Sequence, residues 1–240
     1  MTTTGNLMDR VTAAVLAGGL GTRLQAALTG RPKALAEIHG RPFLDFLLDR
    51  IAEAGIRQAV LCTGHLAAMI RERYGDTYGP IRLEHSAEDR PLGTGGALRL
   101  AARRIQTPLA MVFNGDSVVD VDLTAFTQWF ETTGAPAAIL AVTVPDTSRY
   151  GSLRLSPDGM VEAFLEKHAS TGPGIINAGI YLFRRDILDS MTQVEPLSLE
   201  TQVFPALVGR GLAAYPVQGG FLDIGTPESY RAAEAFFVQP

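Results

Sequence analysis

Cysteine is almost missing from this 240-residue chain. Cys62 is the only one, so no internal disulfide can form, and its place in the run Ala59-Val60-Leu61-Cys62 marks it as a buried, inert thiol. Histidine is scarce as well. His39, His65, His85 and His168 lack the spacing of a metal site. Charged residues make up only 19% of the chain against 46% apolar, which excludes a disordered polypeptide. Neither sign dominates: 21 Lys+Arg against 25 Asp+Glu leave a net charge of -4. Without a basic face, nucleic acid is not the expected partner, although a small anion needs only a few well-placed cations. No apolar run reaches the ~18 residues of a membrane span. The longest, 135–144, is interrupted by Pro136 and Thr143. Residues 1–9 are polar and lack the apolar centre of a signal peptide. These absences predict a cytoplasmic protein with no membrane partner.

What is present alternates. Segments at 11–17, 56–63, 81–84, 109–113 and 137–142 read as strands. Helical spacing lies between them at 43–54, 66–74, 95–104 and 123–131. Such alternation predicts an α/β fold with a Rossmann-like mixed, mainly parallel sheet and helices on both faces. After residue 150 the pattern changes. A hairpin is expected at 151–155 and 161–165, and a long strand at 175–183. A helix at 199–208, a strand at 212–216 and a closing helix at 226–237 complete the pattern, with Thr226 as N-cap and Pro227 in its first position. This half predicts a small antiparallel, substrate-facing lobe. Residues 1–10 read as a flexible tail, and 11–240 as one domain. Apolar Phe236 and Phe237 on the last helix make a homodimer an open expectation.

The clearest motif is Leu16-Ala17-Gly18-Gly19-Leu20-Gly21-Thr22-Arg23-Leu24, with Lys33 following. Glycines at the end of a first strand let backbone N–H groups approach phosphate oxygens. Arg23 adds a planar fork and Lys33 a point charge. The dinucleotide fingerprint fails at Leu24, where Gly or Ala is required, and no P-loop run exists.

This motif resembles the signature of the sugar-1-phosphate nucleotidylyltransferases, and the similarity runs from about Val11 to Phe237. Further segments follow in the family's order. The chain is most similar to the branch that acts on D-glycero-α-D-manno-heptose 1-phosphate; mannose-1-phosphate guanylyltransferases and N-acetylmuramate 1-phosphate uridylyltransferases are the alternatives. Where the family often carries a proline after the arginine, Gln25-Ala26-Ala27 stands here.

The resemblance implies a nucleotide site at Leu16, Ala17, Gly18, Gly19, Gly21, Thr22, Glu88, Gly93 and Thr94. Arg23, Lys33 and Asp116 would be catalytic. Alone, Asp116 in Asn114-Gly115-Asp116 suits a turn, and Asp223 suits a polar residue before a helix cap. Together they match the family's two metal-binding aspartates, and Mg²⁺ typically takes one or two carboxylates plus substrate phosphates. Asp120 and Asp122 are expected in a loop and a helix cap. Glu88 is either a solvated loop carboxylate or a base reader. As an acceptor-only group it suits the N1–H and exocyclic amine of guanine, hence GTP. Gly151, Glu166, Lys167 and Asn177 match the family's sugar-phosphate segment, although His168 replaces its usual proline. The reaction implied is transfer of a nucleotidyl group from an NTP to a sugar 1-phosphate. A nucleotide-sensing subunit without activity is the rival, and the presence of Arg23, Lys33, Asp116, Lys167 and Asp223 argues against it.

Overall fold

Strands β1 (Val11–Leu16), β2 (Gln58–Thr63), β3 (Ile81–Ala87) and β4 (Leu109–Asn114) run parallel in the order β3-β2-β1-β4. The computed structural model that shows this describes residues 6–19, 24, 30–165 and 172–237. β1, β2 and β4 are apolar along almost their whole length, as parallel strands covered on both sides must be. Alternate residues feed two cores. Ala13, Val15, Leu61, Met111 and Phe113 face one side; Ala14, Val60, Cys62, Ala110 and Val112 face the other.

Helices cover both. In chain order they are α1 (Phe43–Glu53), α2 (Ala67–Tyr74), α3 (Gly93–Ala102), α4 (Leu123–Thr133), α5 (Arg185–Asp189), α6 (Phe204–Leu207) and α7 (Pro227–Phe236). The first core takes Leu47 of α1, Ile70 of α2, Phe126 of α4 and Ala233 of α7. The second takes Leu98 of α3, Leu188 of α5 and Phe204 of α6. Helices therefore lie on both faces, as the sequence predicts. Asp122 caps α4 by accepting from the N–H groups of Thr124 and Ala125 at 2.8 and 2.9 Å. Thr226 caps α7 in a reciprocal box with Ser229.

Besides short two-residue strands at 37–38, 41–42 and 77–78, the chain forms β5 (Ser117–Val119), β6 (Ala137–Val144), β7 (Ser152–Leu155), β8 (Val161–Leu165), β9 (Gly174–Arg184), β10 (Leu212–Val217) and β11 (Phe221–Asp223). β9 runs antiparallel to β4 and β6, meets β7 at Ile176, and so ties the β7–β8 hairpin to the central sheet. The antiparallel strands thus extend the sheet on the β4 side. β5 and β11 form a separate two-stranded ribbon with Ser117 opposite Asp223. That ribbon is what brings two distant aspartates together.

Three details differ from the sequence reading. Within the expected tail, Leu7–Arg10 forms a 3-10 turn capped by Asn6, and Met8 is buried in the first core. The helix expected at 199–208 is broken into a π-turn, Leu199–Val203, followed by α6. Val203 N–H reaches Ser198 O and Phe204 N–H reaches Leu199 O; Pro205 then has no N–H to continue an α ladder. Phe237 stacks on Phe46 at 4.0 Å between centroids, and Phe236 packs on Phe237. The two rings that suggested a homodimer are partly buried against the chain's own core.

Candidate active site

The parallel strands end together, and their ends are tied by backbone bonds. Ala17 N–H donates to Cys62 O at 2.8 Å, Gly115 N–H to Leu16 O at 3.0 Å and Glu88 N–H to Thr63 O at 2.8 Å. A cleft of about 610 Å³ opens over these ends, where ligands bind in open α/β sheets. It brings together Leu16, Ala17, Gly18, Gly19, Lys33, Glu88, Gly93, Thr94 and Asp116, all expected from sequence. Gly21, Thr22, Arg23, Glu166 and Lys167 lie outside the described residues.

At one end the charges converge. Lys33 begins a 3-10 turn (Lys33–Leu35) behind Pro32, and its Nζ donates to Asp116 Oδ2 at 2.8 Å. Asp116 follows Gly115, where a Cβ would stand 2.6 Å from Leu16 O, so only glycine lets the chain turn here. Ile224 N–H donates to Asp116 O at 2.8 Å, which joins the Asp223 loop to Asp116. Asp223 is held by two donors: Gly225 N–H on Oδ1 at 2.8 Å and the Tyr150 hydroxyl on Oδ2 at 2.9 Å. Arg149 adds a cation 3.8 Å from Oδ2. Burial, with Asp223 second, pushes the Tyr150 phenol up to about 12, so it stays a donor.

Two neighbouring carboxylates on fixed backbone are a hard oxygen donor set of the kind Mg²⁺ accepts. Among the described residues no group of three or more His, Cys, Asp or Glu could hold a metal alone. The aspartate pair fits an ion that completes its shell with substrate oxygens. Each carboxylate keeps acceptor capacity beyond the bonds above.

Glu88 marks the other end. It follows β3, and its Oε2 accepts from Leu92 N–H at 3.1 Å. Its Oε1 lies over the ends of β1 and β2: a Cβ at Gly64 would come within 2.8 Å of it. Burial raises its pKa, partly offset by the Leu92 bond. Cys62 also lines the cleft floor, but burial pushes its thiol up to about 12.

The glycines at the start of α3 do something the sequence does not disclose. A Cβ on Gly93, which has φ +78°, would run into Leu197 O, and one on Gly95 would lie 2.8 Å from Leu197 Cγ. Gly95 and Gly96 N–H donate to Leu197 O at 2.8 and 3.1 Å. These positions dock the 195–199 segment rather than leaving the helix amides free for a ligand. Thr94 is also committed: its Oγ1 accepts from Leu199 N–H at 2.9 Å and donates to Glu200 Oε2 at 2.9 Å.

Of the sugar-segment residues, Gly151 and Asn177 form a neighbouring group rather than lining this cleft. Ser152 pairs with both Leu165 and Ile176, so Gly151 and Asn177 adjoin the point where β8 ends. Asn177 Oδ1 accepts from Gly179 N–H at 2.8 Å and its Nδ2 donates to the Tyr181 hydroxyl at 3.0 Å. Asn114, in the cleft wall, donates to the same hydroxyl at 3.2 Å. Sequence reasoning gave no role to Gly64, His65, Asn114 or Glu200, all of which line the cleft. Gly64-His65 ends β2 as Gly18-Gly19 ends β1, a readable signal. Glu200 carries no such signal, because its position depends on the fold returning across α3.

The nucleotidyl transferase family model matches residues 12–239. The chain is 36% identical over 234 residues to the mannose-1-phosphate guanylyltransferase of Mycobacterium tuberculosis, covering 96% of this chain and 65% of that protein. It is 32% identical over 218 residues to the D-glycero-alpha-D-manno-heptose 1-phosphate guanylyltransferase of Campylobacter jejuni, covering 91% and 96%. The chain thus spans about two thirds of the first relative and nearly all of the second. The crystal structure of HddC from Yersinia pseudotuberculosis superposes with a TM-score of 0.83 at 32% identity, covering 94% of this chain and 99% of that one. HddC complexed with GMP-PN gives 0.82. The chain belongs to the nucleotidyl transferase family.

Proposed function

We propose that the protein transfers a guanylyl group from GTP to a sugar 1-phosphate, releasing pyrophosphate. One observation carries this reading: Lys33 and Asp116 meet in a cleft also lined by Gly18, Gly19 and Glu88, and the β5–β11 ribbon joins the Asp223 loop to Asp116. A phosphate oxygen of the sugar 1-phosphate attacks the α-phosphorus in line. The new P–O bond forms as the bond to pyrophosphate breaks, so the reaction balances without a redox partner or a strong base. The attacker is already an anion. The obstacle is joining two polyanions, and positioning with charge neutralisation supplies the catalysis.

Gly18 and Gly19 bring backbone N–H groups to the phosphates. Lys33 neutralises charge at the α-phosphate and, through its bond to Asp116, fixes that carboxylate. Asp116 and Asp223 would hold Mg²⁺, which supplies Lewis-acid neutralisation of phosphate oxygens when bound. Tyr150 keeps Asp223 aimed. Arg23 is assigned to the leaving pyrophosphate and Lys167 to the sugar phosphate, with Gly151, Glu166 and Asn177 toward the sugar. Glu88 accepts from guanine N1–H and the exocyclic amine.

D-glycero-α-D-manno-heptose 1-phosphate is the acceptor favoured here. Its support is the match to the Campylobacter enzyme, which covers 96% of that protein. Mannose 1-phosphate is the second reading, favoured by the 36% identity to the mycobacterial enzyme. The test is pyrophosphate release with Mg²⁺, each NTP and a panel of sugar 1-phosphates. GTP with a manno-configured sugar 1-phosphate should give the fastest release. Faster release with UTP would sink the assignment of Glu88.

A further inference from the structure

We infer that Glu200 is a specificity residue that accepts a hydrogen bond from a hydroxyl of the acceptor sugar. The inference rests on the nucleotidyl-transfer reading above and adds to it a residue that none of the sugar-segment motifs includes.

Three observations point to it. Glu200 lines the cleft. It is half-buried and held from two sides through a single oxygen. Oε2 accepts from the Thr94 hydroxyl at 2.9 Å and from the Ser198 hydroxyl at 3.0 Å. Oε1 forms no hydrogen bond among the described residues, so one oxygen is anchored and the other keeps its lone pairs. The backbone beneath it is equally fixed. The π-turn Leu199–Val203 carries Glu200, with Ser198 as its cap accepting from Thr201 N–H at 3.1 Å. A π-turn departs from ordinary helix geometry and re-aims the side chain it carries. A carboxylate with one anchored and one open oxygen is a hydrogen-bond acceptor waiting for a neutral donor, not for a second anion. Sugar hydroxyls are such donors.

The end of the cleft that Glu200 serves is set by its surroundings. The π-turn that carries Glu200 runs directly into Phe204, whose ring lies 4.8 Å from that of Tyr181 between centroids. Tyr181 is the residue that Asn114 and Asn177 both contact. Glu200 therefore stands on the Asp116–Asn177 side, where the acceptor enters, whereas Glu88 stands over the ends of β1 and β2. Thr94 and Ser198 are positioning residues. They act through Glu200 and need not touch the substrate.

Steady-state kinetics of the full chain with Mg²⁺, GTP and mannose or D-glycero-α-D-manno-heptose 1-phosphate tests this. E200Q keeps the shape but weakens the acceptor. It should raise KM for the sugar 1-phosphate about tenfold or more, the scale of a lost bond to a charged group, and leave KM for GTP within about twofold. S198A should give the same pattern to a lesser degree, and S198T, which keeps the hydroxyl, should not. A deoxy acceptor lacking the contacted hydroxyl should lose that factor with the wild type but not with E200Q. A merely structural role for Glu200 would not reproduce this cross-over. A sugar KM unchanged in a folded E200Q protein overturns the inference, as does a loss that falls on GTP instead. Failure of the wild type to release pyrophosphate with any sugar 1-phosphate is a separate result. It overturns the nucleotidyl-transfer reading, and this inference with it.

Discussion

At Asp116 two demands meet: the side chain binds Lys33 at 2.8 Å, and its backbone carbonyl holds the Asp223 loop. In the proposed reaction only the carboxylate carries chemistry. D116N should therefore fold normally, since the ion pair is partly exposed and such pairs contribute at most about 1 kcal/mol. Its turnover should fall by about a hundredfold or more, measured by pyrophosphate release beside a thermal melt. Glu88 gives a pH prediction. Burial holds its pKa above the usual carboxylate range, with the Leu92 bond acting against the shift. The folded protein thus binds this proton more tightly than the unfolded chain. Its contribution to stability is present at low pH and is lost as pH rises through the raised pKa. E88Q removes that loss, so its melting temperature relative to wild type should climb from acid to neutral pH. Over the same range the KM for GTP of the wild type should rise on acidification, starting above the pH of an ordinary glutamate. Cys62 is a simpler case. With its thiol pushed up to about 12, it should resist maleimide at pH 8 in the native protein and react once denaturant is added; native labelling at the denatured rate would contradict its burial.

Among the elements, α3 and the 195–199 segment are coupled through Leu197. G93A would place a Cβ against Leu197 O at a φ of +78°. It should cost roughly 2–4 kcal/mol by denaturant melt. Because Thr94 and Glu200 share that joint, sugar KM should rise in whatever protein folds. This coupling was not legible in the sequence. Gly93-Thr94-Gly95-Gly96 reads locally as a loop that admits a ligand, whereas Leu197, about a hundred positions away, is what requires the glycines. The π-turn was likewise hidden, because apolar spacing at 199–208 has the period of a helix. By contrast, β1, β2 and β4 were visible, because burial on both faces forces a near-continuous apolar run. Caps at Asp122 and Thr226 were visible for a local reason too: their partners lie within three residues.

At the scale of the whole molecule, the two cores on either side of the sheet fix where the strands end, and the strand ends fix the cleft. Residues contributed by single motifs, such as Gly18, Gly19, Lys33, Glu88 and Asp116, could be picked out in the sequence because each carries a chemical reason for its type. The pairing of Asp116 with Asp223 could be suspected only through a resemblance. The backbone bond between their loops is a product of the β5–β11 ribbon. The acidic net charge of -4 is no obstacle to binding polyanions, because the cations that matter are local. Lys33 and Arg149 stand beside the aspartates. The most direct test is pyrophosphate release by the wild type and D116N, with Mg²⁺, GTP and either manno-configured sugar 1-phosphate. The expected result is sustained release by the wild type and near-complete loss in a D116N protein with an unchanged melt. No release from any nucleotide and sugar 1-phosphate pair, or wild-type turnover by D116N, would contradict it.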